Sequence, residues 1–182
     1  MPMLPQEAAN ALQDIERAER HSAALYGYRR ASPHLFLWGA IWVIGFGASF
    51  LRRDGSLVWL GLVPLGILAS FSISHGSKSS RARFGWRYVL TAMALFLFIT
   101  AVFYILPIKS VEQPGAFISL LVALFYVLLG LWRGAARMAI LGFALGALTV
   151  GGYLGLPHYF LLWMAGVGGG ALILGGFWLR RV

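Results

Sequence analysis

Six residues of this sequence are of a kind and spacing that would line a path for a small neutral solute: Gly61, Pro64, Ser70, Ser74, His75 and Thr149. Pro64 has no amide hydrogen, so the Leu60 carbonyl loses its donor and the helix is expected to kink there, with Gly61 and Gly66 beside the break. Ser70 and Ser74 are four residues apart, share a helix face and run into His75. A freed carbonyl above a hydroxyl seam is tolerated in hydrocarbon where it lines a cavity. The same pattern also arises as a packing kink whose serines bond back onto their own helix.

Other chemistry is poorly provided for. The four histidines are His21, His34, His75 and His158, and no two stand at the spacing of a metal or haem site, so neither a metal nor a cofactor is expected. The chain has no cysteine, which removes thiolate ligands and cysteine nucleophiles. It has no phosphate-binding loop and no Gly-x-Ser-x-Gly elbow. A membrane enzyme is therefore the last of the functional readings.

The elements that would position these residues are apolar runs. With 59% hydrophobic and 12% charged residues over 182 positions, the chain is too apolar for a soluble domain, where charged residues approach about 25%. Between Arg137 and Arg180 lie 42 uncharged residues, broken only at Gly155-Leu156-Pro157-His158. About 20 helical residues cross a hydrocarbon core, so this stretch is read as two spans, 138–154 and 159–179. Four earlier runs, 33–51, 56–74, 88–106 and 116–132, bring the expected count to six. No Asp, Glu, Lys or Arg falls inside any of them. An intramembrane charge costs about 2.5–3.5 kcal/mol and marks ion paths and proton relays, so its absence argues against a carboxylate-driven pump, antiporter or voltage sensor. The expected fold is all-α: a polytopic membrane protein of six transmembrane helices preceded by a cytosolic amphipathic helix. Residues 1–30 form the helix and linker, and residues 31–182 the membrane domain.

The leading segment, 5–26, opens with Pro5 and Glu7, which suit a helix N-terminus, and Gly27 is expected to end it. Ala8, Leu12 and Ile15 lie on one narrow stripe and form the candidate partner-binding face. Four acids (Glu7, Asp14, Glu16, Glu19) against two arginines (Arg17, Arg20) leave −2, which suits protein contact better than anionic lipid. Ser32-Pro33 reads as the cap and first position of the next helix. Pro33-His34 with its following aromatics is echoed at Pro157-His158, the form an inverted repeat would take.

The net charge of +9 sits in short loops, so it signals topology rather than nucleic-acid binding. Placing both termini in the cytosol puts 12 basic residues inside (Arg17, Arg20, Arg29, Arg30, Lys78, Arg81, Arg83, Arg87, Arg133, Arg137, Arg180, Arg181) and three outside (Arg52, Arg53, Lys109). Tyr28, Trp38, Trp86, Tyr88, Trp132 and Trp178 then form the inner aromatic belt, and Trp59, Tyr104, Tyr153, Tyr159 and Trp163 the outer one. The expected location is a bacterial inner (plasma) membrane. Lys78, Arg81, Arg83 and Arg87 are candidates for anionic lipid headgroups.

Eleven of the 23 glycines follow Arg137. Small faces let helix backbones approach closely, and Gly142 and Gly146 are expected to meet a face containing Gly166, Gly169, Gly170 and Gly176, within the chain or between copies of it. Phe160, Met164, Val167, Ala171, Leu174 and Trp178 form the bulky face opposite. The leading functional reading is a non-enzymatic regulatory or interaction protein whose N-terminal helix contacts a cytosolic protein or a second subunit. The alternative is a channel or facilitator along the second span. The topology gives a direct expectation. In this cysteine-free chain, Gly76→Cys and Gly134→Cys should react with a membrane-impermeant maleimide from the cytosolic side alone, and labelling of either from outside would refute the orientation.

Overall fold

Ten helical pieces account for nearly every described residue, and no strand occurs among them. The computed structural model describes residues 5–52, 55–75 and 86–181; before Gly27 it places the side chains of Asn10, Gln13, Asp14 and Ser22. In chain order these are α1 (Pro5–Leu51), a 3-10 turn (Gly55–Leu57), α2 (Val58–His75), α3 (Trp86–Ile105), α4 (Glu112–Trp132) and α5 (Ala136–Gly155). A 3-10 turn (Pro157–Tyr159), α6 (Phe160–Trp163), a π turn (Met164–Gly168) and α7 (Gly169–Arg180) complete the chain.

Five of these stretches are long and apolar enough to cross a membrane: Gly27–Leu51, Gly55–Ile73, Glu112–Trp132, Ala136–Gly155 and Pro157–Arg180. In α3 the described apolar part is the shorter Met93–Ile105. The chain is thus a polytopic α-helical membrane protein by the length and composition of its helices.

α1 departs from expectation. It runs unbroken for 47 residues, about 70 Å, through both Gly27 and Pro33. A glycine inside a helix costs only about 1 kcal/mol against alanine, so Gly27 cannot by itself stop a helix carried on either side by good formers. Pro33 withdraws a donor from the Arg29 carbonyl but leaves the helix intact, as packed membrane helices allow. Ser32 does not cap. Its hydroxyl is buried and donates across the bundle to the Gly176 carbonyl, at 2.8 Å. His34 follows inside the same helix, whereas Pro157 begins a 3-10 turn, so the two Pro-His motifs occupy different local structures.

Two close helix pairs make the bundle, α1 with α7 and α4 with α5, and Leu141 of α5 joins them by packing on Gly175. At the first crossing, a Cβ placed on Gly39 would lie 3.0 Å from the Gly169 carbonyl oxygen and 2.7 Å from Ile173. A Cβ on Gly169 would lie 3.0 Å from the Gly39 carbonyl oxygen and 2.7 Å from Val43. At the second, a Cβ on Gly142 would come within 2.7 Å of both the Ala123 carbonyl oxygen and the Val127 amide nitrogen, and one on Gly130 would meet the Ala139 backbone. The fifth span's small stripe therefore serves α4, not the last helix. α4 supplies a matching stripe, Ala116, Ser119, Ala123 and Gly130, all buried. Leu35, Leu145, Phe160, Met164, Leu172 and Leu179 fill the centre. α2 leans on α1, and α3 meets α4 edge to face through Phe103 and Phe117, with centroids 5.3 Å apart.

The π turn explains why the last segment does not divide into one bulky and one small face. One row of its buried positions runs Phe160, Met164, Gly168, Leu172, Gly176 and Leu179, five steps over 19 residues, or 3.8 per step, with Ala165, Gly169 and Gly175 buried beside it. That exceeds the 3.6 of an α-helix, and one widened turn absorbs the difference. Beyond it Leu174 and Trp178, expected on the bulky face, point outward.

These contacts rank the glycines. Gly39→Leu, Gly169→Leu and Gly142→Leu should each lower stability by about 1–3 kcal/mol, the usual cost of overpacking. Gly166→Leu and Gly170→Leu, whose Cβ positions are open, should change it by less than about 0.5 kcal/mol. Reversible SDS denaturation in mixed micelles measures both sets, and equal losses in the two would refute the assignment of the crossings.

Candidate functional site

Among the described residues, two recesses stand out on the helix surface. The larger, about 610 Å³, opens between the C-terminal half of α3, the start of α4 and the end of α5. Its walls are apolar (Val102, Phe103, Leu106, Ala116, Phe117, Leu120, Val150, Leu154), and Lys109, Ser110 and Gln113 stand at its rim. The rim loop is held by the Lys109 backbone N–H, which donates to Gln113 Oε1 at 2.8 Å. A volume of about 300–1,000 Å³ is typical of a small-molecule site. The smaller recess, about 220 Å³, is a crevice between α1 and α2 lined by His34, Trp38, Ile67, Ser70 and Phe71.

The solute-path candidates whose side chains are described fall in different places. Ser70 is half-buried in the α1–α2 crevice. Gly61 and Pro64 are exposed on α2, and a Cβ on Gly61 would meet nothing within 4 Å. Ser74 and His75 lie in the last turn of α2, with side chains outside the described residues. Thr149 belongs to the other recess, in the α4–α5 pair, where it is buried and its hydroxyl donates to the Leu145 carbonyl at 2.8 Å.

The packing candidates are dispersed in a similar way. Gly142 and Gly146 face α4, the latter in ordinary contact with Ala123 at 3.7 Å. Gly169 lies against Gly39 and Val43, and Gly176 against the Phe36 ring. Gly166 and Gly170 meet nothing within 4 Å. Ala8, Leu12 and Ile15 occupy the helical backbone of α1, but their side chains are outside the described residues. Lys78, Arg81 and Arg83 also lie outside them, as does the side chain of Arg87 in the first turn of α3. Among the described residues no three His, Cys, Asp or Glu stand close enough to hold a metal ion.

Two tryptophan seats were not anticipated. The Trp59 ring packs on Gly45 and its Nε1 donates to Ser49 Oγ at 3.2 Å. The Trp163 ring packs on Gly152 and its Nε1 donates to the Leu148 carbonyl at 2.9 Å. Each indole thus closes a hairpin, with its one polar group satisfied inside it. A glycine one turn from a hydroxyl on the neighbouring span was the available sequence signal for the first. Trp163 accepts a bare backbone carbonyl, for which no side-chain pattern exists.

At the opposite end of the bundle an arginine binds three helices together. The Arg137 backbone N–H donates to the Tyr28 hydroxyl at 3.3 Å, and Nη1 donates to the Trp178 carbonyl at 3.2 Å. Its guanidinium lies 5.3 Å from the Trp178 ring centroid and 6.0 Å from that of Tyr28. Arg180 lies 5.5 Å from the Phe36 ring centroid. Cation–π contacts of this kind are worth about 0.5–2 kcal/mol, according to how far they are desolvated. The architecture defines a class, the polytopic helical membrane proteins, and nothing narrower. Compared with family models, curated proteins and solved structures, the chain matches none.

The two buried serines behave differently. Ser32 has a partner across the bundle, whereas the Ser119 hydroxyl is buried with none. Ser32→Ala should cost about 0.5–1.5 kcal/mol, because it orphans a bond made in a low dielectric. Ser119→Ala should be neutral or stabilising, since it removes an unsatisfied polar group. Mixed-micelle unfolding of the two variants checks the contrast, and a larger loss for Ser119→Ala would reverse it.

Proposed function

We propose that this chain is a non-enzymatic regulatory or interaction protein of a bacterial inner membrane, with six spans and both termini in the cytosol. Its N-terminal helix carries the stripe Ala8, Leu12 and Ile15 to a cytosolic protein or to a neighbouring subunit. The observation that supports this reading is the continuity of α1. Residues 5–26 extend the first span without a break, over about 33 Å. A displacement of the partner face is therefore delivered to the bundle through a rigid rod rather than lost in a linker. The rod enters where Tyr28 is bonded to α5 and Ser32 to α7, so it bears on the helix it packs against most closely and, through one hydrogen bond, on α5. Acid–base catalysis at membrane depth is poorly provided for, because no Asp, Glu, Lys or Arg falls inside the runs 33–51, 56–74, 88–106, 116–132, 138–154 and 159–179.

A facilitator for a small neutral solute is the second reading. What favours it is the α3–α4–α5 cleft, large enough for such a solute and carrying Thr149 among its lining residues. A facilitator works inside the bilayer and is indifferent to the state of residues 5–26.

Gly27 separates the two. Its Cβ position is open, so Gly27→Ala is accommodated, while Gly27→Pro breaks the rod at its entry at a cost of about 3 kcal/mol. The expected outcome is that Gly27→Pro, and Leu12→Asp combined with Ile15→Asp, insert normally. Both should lose the proteins cross-linked to the wild type in membranes, and Gly27→Ala should keep them. If all four forms recover the same proteins and pass a neutral solute into liposomes equally, the interaction reading fails.

A further inference from the structure

We propose that the end of the bundle where α1 enters, α4 turns into α5 and α7 finishes is a binding site for an anionic glycerophospholipid headgroup, with two phosphates preferred to one. Only its assignment to the cytosolic leaflet rests on the functional reading above. The site consists of Arg29 and Arg30 on α1, Arg133 and Arg137 at the α4–α5 turn, and Arg180 and Arg181 at the end of α7.

Three sequence-distant pairs meet here because the helices are bonded together. The Ser32–Gly176 hydrogen bond fixes the register of α1 against α7, and one turn beyond it lie Arg29 on one helix and Arg180 on the other. Arg137 reaches both helices, through the Tyr28 hydroxyl and the Trp178 carbonyl. Arg29, Arg30, Arg133, Arg180 and Arg181 are exposed and Arg137 is half-buried. Acids are distant among the described side chains. Asp14 lies about 20 Å back along α1, and Glu112 stands at the other end of α4.

Topology alone requires positive charge on this side, but it requires no geometry. The geometry is present in the two guanidiniums that lie beside aromatic rings, Arg137 at Trp178 and Tyr28 and Arg180 at Phe36. A guanidinium held in place keeps its fork of donors and loses little freedom when it binds phosphate. Two placed cations from different helices, with four exposed ones at the same end of the bundle, match two linked phosphates better than one. Tryptophan and tyrosine rings favour the headgroup level of a bilayer, so Trp178 and Tyr28 suit the same interface as the phosphates.

The test uses the full chain purified in detergent and titrated with diphosphatidylglycerol, phosphatidylglycerol or phosphatidylcholine. Thermal shift and lipid retention in native mass spectrometry are the readouts. Affinity should fall in that order. Arg133→Gln with Arg181→Gln, two exposed residues, should keep the wild-type melting temperature without lipid. The pair should weaken diphosphatidylglycerol binding about 25-fold, about fivefold for each arginine removed. Arg137→Lys keeps the charge but loses the planar fork, and should narrow the preference for two phosphates over one. The proposal is overturned if the three lipids stabilise the protein equally, or if inorganic phosphate alone reproduces the shift. It is also overturned if neutralising Lys78, Arg81, Arg83 and Arg87 abolishes binding while the Arg133–Arg181 pair leaves it intact.

Discussion

In hydrocarbon a leucine gains nothing by leaving lipid for another leucine, so helices associate only as closely as their backbones permit. The crossing of α1 and α7 at Gly39 and Gly169 meets that condition, each glycine standing against the other's carbonyl. Much else in the fold depends on it. It places Ser32 opposite Gly176, brings Phe36 over the Gly176 surface and aligns the two arginine-bearing ends. The π turn belongs to the same constraint. Phe160 is buried before it, Met164, Ala165 and Gly168 within it and Gly169 and Leu172 after it, and the one widened turn keeps these sets facing inward.

The second close pair works by the same physics with different residues. α4 and α5 approach through Ala123, Gly130, Ala139 and Gly142, and Thr149 turns its hydroxyl back to Leu145 rather than across the seam. At one end of the bundle, tryptophans occupy glycine seats and convert loose hairpins into fixed ones. At the other, guanidiniums lie beside aromatic rings. Stability is therefore concentrated in α1, α4, α5 and the last segment. α2 and α3 present broad apolar surfaces, with Leu60 75% exposed and Phe96 68% exposed. In lipid such surfaces are solvated and need no partner.

The continuity of α1 carries this packing on into the N-terminal segment. A helix bonded to α5 and α7 at Tyr28 and Ser32 cannot shift its outer part without loading those bonds. The bonded, stacked region at the helix entry is also where a charged lipid headgroup would act on the same joint.

By itself the sequence determined the class of the fold, the approximate limits of the apolar helices and the absence of charge within them. Those properties depend on local composition and on the thickness of hydrocarbon, both of which can be read along a chain. It also marked the glycines as positions of close approach. The tertiary structure decided which helix each of them approaches. A small stripe fits any other small stripe, so Gly142 could have met α7 as well as α4, and nothing in its neighbours distinguishes the two. The unbroken course of α1 was likewise undetermined, because glycine and proline weaken a helix by a few kcal/mol that contacts at Tyr28, Ser32 and Leu35 can outweigh. The π turn was the least legible feature. It answers a phase mismatch between two buried sets, and that mismatch exists only once both sets have a neighbour to face.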